Sequence, residues 1–259
     1  QFKENKGGMK TAGFDRLRTP GVKGVLVSCD MRAENMCQSE VVLALTEVAE
    51  KRYPDLFKEE EEKGSIDDVE AAIAAEAEQE KEKGHFSFIR TDVKGLVFVE
   101  IRTAAMCPML LCEDYIRMVA AAGRAKTKFA VRMTPVQATC YANKESICKA
   151  AKPLLDEHLG ESAPACTYAI VFKKRNNEMD RLEVIQYIAE LVDKKHTVDL
   201  TTPDKCIIVD VMMNACVMGV APEYYKLKKY NIHELTGTGQ QARRKAGDAA
   251  AAARRAEAD

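Results

Sequence analysis

The run Phe172-Lys173-Lys174-Arg175-Asn176-Asn177 is the densest concentration of recognition chemistry in this sequence. Three successive cations can each meet a phosphate, and two asparagines offer amides to a nucleic-acid backbone or a base edge. The run follows Cys166 to Phe172 (CTYAIVF), which predicts a strand. Loops at strand ends project side chains over binding surfaces, so the cluster is expected in such a loop. A solvated charged loop fits the same residues. On either reading Lys173, Lys174 and Arg175 are surface side chains, and removing them costs within about 0.5 kcal/mol each.

Two further basic groups stand apart in the chain. Arg124, Lys126 and Lys128 precede a predicted strand that carries Arg132; cations at a helix end also suit the helix dipole. Lys226, Lys228 and Lys229 are interleaved with Tyr224, Tyr225 and Tyr230. Tyrosines beside lysines suit base stacking, and equally a terminal helix packing its rings on the domain. We take Lys173, Lys174, Arg175, Asn176, Asn177, Arg132, Arg124, Lys126 and Lys128 together as one candidate RNA-binding surface. Strand ends of an α/β unit lie close in space, so distant loops can share a face. Arg243, Arg244, Lys245, Arg254 and Arg255 near the C-terminus fit phosphate binding, nuclear import or plain solubility.

Catalytic motifs are absent from the sequence. There is no G-x-x-x-x-G-K-[ST], no G-x-G-x-x-G after a strand, no G-x-S-x-G and no H-E-x-x-H. There is no Asp-Pro-Pro-Tyr or Asn-Pro-Pro-Tyr segment either. No catalytic residue, metal ligand or cofactor site is assigned. The nine cysteines are odd in number, form no C-x-x-C and lie mostly in apolar stretches, which indicates reduced core thiols and a reducing compartment. No apolar run reaches the length of a membrane span, and the polar start has no signal-peptide core. Gln1 in place of Met implies a longer parent chain.

The net charge of −1 hides a segregation. Residues 58–82 hold eleven carboxylates against three lysines, a charge of −8, so the remainder carries +7. A basic body with an acidic insert is compatible with nucleic-acid binding. The insert itself reads as a solvated segment, or as one that binds protein or mimics RNA.

The elements that must position these residues follow from periodicity. Residues 1–19 read as a polar tail. Gly21 to Cys29 predicts a strand; Ser39 to Arg52 predicts a helix capped by Ser39, with Val41, Val42, Leu45, Val48 and Ala49 on one face. After the acidic insert 58–84 come strands at Phe86 to Arg90 and Leu96 to Ile101. A helix follows from Pro108 to Gly123, then a strand at Phe129 to Met133. The order β-α-β-β-α-β is ferredoxin-like. Beyond it, residues 143–159 are helical with a break or kink expected at Pro153. Asp180 caps a helix whose predicted stripe is Leu182, Ile185, Ile188, Ala189 and Val192. Strands are expected at Lys205 to Met213 and Ala215 to Val220. The fold class is therefore α/β (α+β).

Two segments carry a resemblance. Val198-Asp199-Leu200-Thr201-Thr202-Pro203-Asp204 with the strand Ile207 to Val211 resembles the end of a THUMP domain, and Arg132 to Cys140 (RMTPVQATC) resembles its opening segment. Gly21 to Cys29, Phe88-Ile89-Arg90-Thr91, Lys173 to Asn177 and Tyr230 to Leu235 (YNIHEL) resemble one family in particular, the eukaryotic THUMP domain-containing tRNA-acetylation adaptors. Lys173-Lys174 is more basic than that family's usual pair, and Gln137-Ala138 replaces a small Ser-Gly type pair.

The resemblance implies an N-terminal ferredoxin-like domain followed by a THUMP domain. We place a polar tail at 1–19 and the ferredoxin-like core at 20–106, with its last helix and strand running on to about 135. The THUMP domain is placed at 107–222, a terminal helix at 223–236 and a disordered tail at 237–259. The implied activity is binding of serine and leucine tRNAs for a separate RNA cytidine acetyltransferase, which forms N4-acetylcytidine in the D-arm. Acetyl-CoA and ATP would belong to that partner, and the chain would have no small-molecule substrate of its own. The implied compartment is the nucleus or nucleolus, with the cytoplasm as a further site. Two alternatives stay open from the sequence: the RNA-binding part of a larger THUMP-containing tRNA-modifying enzyme, and a pre-rRNA-binding ribosome-assembly factor.

Overall fold

The computed structural model describes residues 11–57 and 84–238; the acidic insert, but for Gly84, and the tail from 239 onward lie outside the described residues. The first unit contains β1 (Thr11–Ala12), β2 (Gly24–Cys29), α1 (Glu34–Arg52), β3 (Phe86–Ile89), β4 (Leu96–Ile101), α2 (Pro108–Ala122) and β5 (Ala130–Val136). Its sheet runs β1-β3-β4-β2-β5. The pairs β3/β4, β4/β2 and β2/β5 are antiparallel, the arrangement of a ferredoxin-like unit. Val25, Val27 and Cys29 pack against the helices, while Leu26 faces the opposite core with Leu17 and Phe98. Both faces of β2 are buried, which explains its unbroken apolar run.

Three local expectations are corrected by the structure. Residues 11–19 belong to the fold: β1 pairs parallel with β3, and Leu17, in a 3-10 turn at Phe14–Arg18, is fully buried. Ala12, Phe14 and Leu17 are too few and too unevenly spaced to give a period to read. Helix α1 starts at Glu34, and Ser39 lies inside it, its Oγ donating to Asn35 O at 3.3 Å. Cys37 and Val41 are buried one turn apart. The Glu34 carboxylate accepts the Gly95 N–H at 2.8 Å, so the extra turn is anchored to the sheet. Residues 223–236 are not one helix. Lys228, Lys229 and Tyr230 have φ of 53°, 57° and 55°, which leaves a 3-10 turn at Lys228–Tyr230 and, beyond it, a short helix at Ile232–Leu235.

The second unit holds β6 (Ala138–Tyr141), α3 (Lys144–Leu159), β7 (Thr167–Arg175), α4 (Arg181–Ala189), β8 (Thr197–Val198), β9 (Lys205–Met212) and β10 (Ala215–Pro222). The sheet order is β6-β10-β9-β7-β8, with β7 parallel to β8 and β9. Helix α3 runs unbroken through Pro153. Ile147 and Ala151 before the proline, and Leu154, Leu155 and Leu159 after it, are buried in one core, which offsets the lost backbone bond. Asp180 caps α4 as expected, accepting from Leu182 N and Glu183 N at 2.8 and 3.1 Å. Leu182, placed in the stripe by its spacing, is exposed; Val184, Tyr187 and Ile188 make the contact.

The two units meet where β10 crosses β5. Gln137 N donates to Met218 O and Gln137 Oε1 accepts from Val220 N, both at 2.8 Å. A Cβ on Gly219 would lie 2.1 Å from Pro135 O, so glycine is required for this approach. Tyr224, Tyr230 and Ile232 then fold back into the core that α2 covers.

Candidate nucleic-acid interface

Strand β7 decides how the Lys173–Asn177 run is displayed. It extends to Arg175, beyond the expected end at Phe172, because its pairing with β9 continues through Lys173↔Asp210, Lys174↔Val211 and Arg175↔Met212. The cations are therefore strand residues, and side chains alternate between faces. Tyr168 and Phe172 sit in the core under α3 and α4, and Ala169 sits in the core of the first unit. Lys173 and Arg175 share the parity of Ala169. Lys174 shares that of Phe172, and its Nζ donates to Met179 O at 3.0 Å on the approach to α4. Three adjacent cations thus serve two different surfaces.

On the shared face, Asp210 is the pivot. It is 1% exposed, and Arg175 Nη1 donates to its Oδ1. Lys173 stands opposite it in register. Burial pushes the Lys173 ammonium down to about 8; Asp210 opposes this, while Arg132, Arg175 and Lys229 reinforce it. Arg175 and Lys173 thus attend one buried carboxylate, and the charges of Arg132 on β5 and Lys229 in the C-terminal turn reach the same Lys173. Arg132 is held by a backbone bridge to Asn231. Its Nε is buried and finds no acceptor among the described residues. The Nε itself is shielded from solvent, and it is the excess of positive charge around Lys173 that suits a phosphate oxygen.

The other expected residues are placed differently. Asn176 is left-handed at φ 51° and turns the chain out of β7. Asn177 is engaged at both ends, donating Nδ2 to Met213 O at 2.6 Å and accepting Met179 N at 2.7 Å. Lys126 pairs with Glu47 of α1. The Lys128 ammonium lies 5.4 Å from the Phe129 ring centroid, and its backbone N–H donates to Glu40. Arg124 is exposed in the turn after α2. The structure therefore gathers Arg132, Lys173 and Arg175, and ties Lys126 and Lys128 to α1.

Two members of the niche lie outside the candidate surface taken from the sequence. Lys229 belongs to the tyrosine-rich segment, which only the fold brings beside β7. Asp210 is the single carboxylate inside the apolar strand KCIIVDVMM. Such an isolated charge demands a partner, and that signal stands in the sequence. All nine cysteines are free thiols. Among the described residues, no group of three or more His, Cys, Asp or Glu side chains is arranged to hold a metal ion.

A ferredoxin-like unit joined to a mixed sheet with a cationic niche at the junction defines the class, and the family model for the THUMP domain matches residues 141–221. The chain is 31% identical over 239 residues to THUMP domain-containing protein 1 of Mus musculus, covering 86% of this chain and 67% of the relative. It is 30% identical over 246 residues to the THUMP domain-containing protein 1 homolog of Drosophila melanogaster, covering 83% and 74%. The chain belongs to the THUMP domain-containing protein 1 family. It is also 24% identical over 246 residues to a Saccharomyces cerevisiae protein named tRNA acetyltransferase TAN1, covering 83% and 85%.

Proposed function

We propose that this chain is a non-catalytic tRNA-binding adaptor, which presents serine- and leucine-type tRNA to a separate RNA cytidine acetyltransferase for N4-acetylcytidine formation in the D-arm. The observation that carries the binding half is the cationic niche in which Arg132, Arg175 and Lys229 act on Lys173, with Asp210 held by Arg175 as its buried carboxylate. Phosphate neutralisation supplies affinity at such a site and makes it salt-dependent. The acetylation half is supported by the name of the yeast relative. As an adaptor the chain would raise the effective concentration of tRNA at the enzyme and fix its orientation. Acetyl-CoA and ATP would be bound by the partner.

The test is removal of the protein from cells, followed by measurement of tRNA acetylcytidine. Loss of the modification at unchanged bulk tRNA is the expected result; unchanged acetylcytidine would sink the proposal. Reconstitution separates adaptor from enzyme, because acetylation by this chain and acetyl-CoA alone would make it catalytic. We further propose residence in the nucleus or nucleolus, with the cytoplasm as a further site. Imaging that confines a tagged full-length chain to an organelle lumen would overturn that placement.

A further inference from the structure

The turn that delivers Lys229 has an unusual backbone. Lys228, Lys229 and Tyr230 are three consecutive non-glycine residues with positive φ. Each is disfavoured there by contact between Cβ and carbonyl, and such conformations persist only where the surroundings impose them. Here the surroundings do. Tyr230 is fully buried and its hydroxyl donates to Pro222 O at 2.8 Å. Lys229 N donates to Tyr224 O at 2.6 Å, and Asn231 N to Lys228 O at 3.1 Å. The Asn231 bridge to Arg132 ties the turn to β5.

This turn sets two side chains in a defined relation. The Lys229 ammonium lies 5.0 Å from the centroid of the Tyr225 ring. Tyr225 meets Tyr224 edge-on, with centroids 6.0 Å apart and planes at 84°. Tyr224 is buried, so it fixes the ring beside it, whereas Tyr225 is only half-buried. The Lys229 charge also acts on Lys173. A part-exposed aromatic ring therefore stands beside the phosphate-suited niche, and one lysine serves both.

We infer that Tyr225 and Lys229 form a nucleotide clamp: the Tyr225 ring stacks an unpaired RNA base, and Lys229 leaves the ring to share the phosphate of that nucleotide with Lys173. A base and a cation compete for the same π face, so the ring exchanges one partner for another, while the ammonium gains a full negative charge. The clamp selects nucleotides free of a duplex, because a paired and stacked base cannot offer its face. The inference rests on the RNA-binding reading above but not on acetylation.

Binding is measured with three probes: a tRNA, a single-stranded oligoribonucleotide and the same sequence in a blunt duplex. Tyr225→Ala is expected to weaken the first two about tenfold, leave the duplex unchanged and keep the salt slope, since stacking releases no counterions. Tyr225→Phe should retain wild-type binding. Lys229→Gly removes the ammonium at a backbone position glycine adopts freely, so the turn survives; it should flatten the salt slope by roughly one. Circular dichroism checks that each variant is folded. Wild-type affinity for the single strand in folded Tyr225→Ala, or an equal loss for the duplex, overturns the clamp. If niche variants lose tRNA while Tyr225→Ala does not, the clamp falls and the adaptor proposal stands. If Tyr225→Ala weakens the single strand as expected but removal of the chain leaves acetylcytidine intact, the clamp stands and the adaptor proposal falls.

Discussion

Arg175 and Asp210 meet across the parallel pair β7/β9, the guanidinium half-buried and the carboxylate 1% exposed. The pair makes Arg175 a structural residue as well as a candidate phosphate ligand. Removing it leaves a buried carboxylate short of its main partner. Arg175→Ala should therefore destabilise the protein by about 2–4 kcal/mol, well above the surface cost that the sequence suggests. Arg175→Lys should recover only part of this, because an ammonium cannot reproduce the guanidinium fork. Urea unfolding reads both values. A loss below about 0.5 kcal/mol for Arg175→Ala would show that the pair contributes nothing.

Strand alternation separates the two adjacent lysines. Lys173→Ala should lower tRNA affinity and flatten the salt slope by roughly one, whereas Lys174→Ala should leave both near wild type. The reason is placement: Lys173 shares the Asp210 face, and Lys174 turns toward Met179. Salt titrations of the two single variants give the comparison, and equal losses would contradict the alternation.

Lys173 also sets a pH dependence. Its pKa is pushed down to about 8 from an ordinary 10.5, chiefly by burial. A bound phosphate favours the charged form, so binding takes up a proton near and above pH 8, and affinity falls as pH rises. Between about pH 7 and pH 9 the loss should approach about tenfold in the wild type and be much smaller in Lys173→Ala. Folding stability runs the other way. The unfolded chain holds this proton more tightly, so the Lys173 contribution to stability rises with pH between about 8 and 10.5. Affinity that stays flat across that range in the wild type would remove Lys173 from the binding surface.

The junction of the two units depends on Gly219. A Cβ built there would lie 2.1 Å from Pro135 O, a contact with backbone that no rotamer relieves. Gly219→Ala should cost on the order of 2–3 kcal/mol and loosen β10 from β5. Thermal unfolding measures the cost, and faster exchange of the Gln137 amide reports the loosening. Unchanged stability would mean that the crossing tolerates a wider separation.

Much of the fold is legible locally. Pro108 and Gly123 mark the ends of α2 because one lacks a useful N–H and the other accepts φ 63°, both properties of single residues. Asp180 likewise declares the start of α4 through its own side chain. The order of strands and helices predicts the ferredoxin-like unit, since antiparallel pairing leaves few ways to close it. The sequence also identifies Lys173, Arg175 and Arg132 as candidates by charge alone.

What the chain order does not contain is which side of a sheet a residue meets and what lies beyond it. The end of β7 depends on how far β9 accompanies it, so the placement of Lys173 and Arg175 apart from Lys174 required the register. Leu182 has helical spacing but faces solvent, because periodicity gives an angle and not a neighbour. Tyr225 and Lys229 are far from Lys173 along the chain, and only the fold-back of the C-terminal segment sets Lys229 against the Tyr225 ring and within reach of the Lys173 charge. Residue chemistry is a property of the monomer unit and can be read one letter at a time. Charge density in a niche is a property of distances between segments, which the chain sets only when it closes on itself.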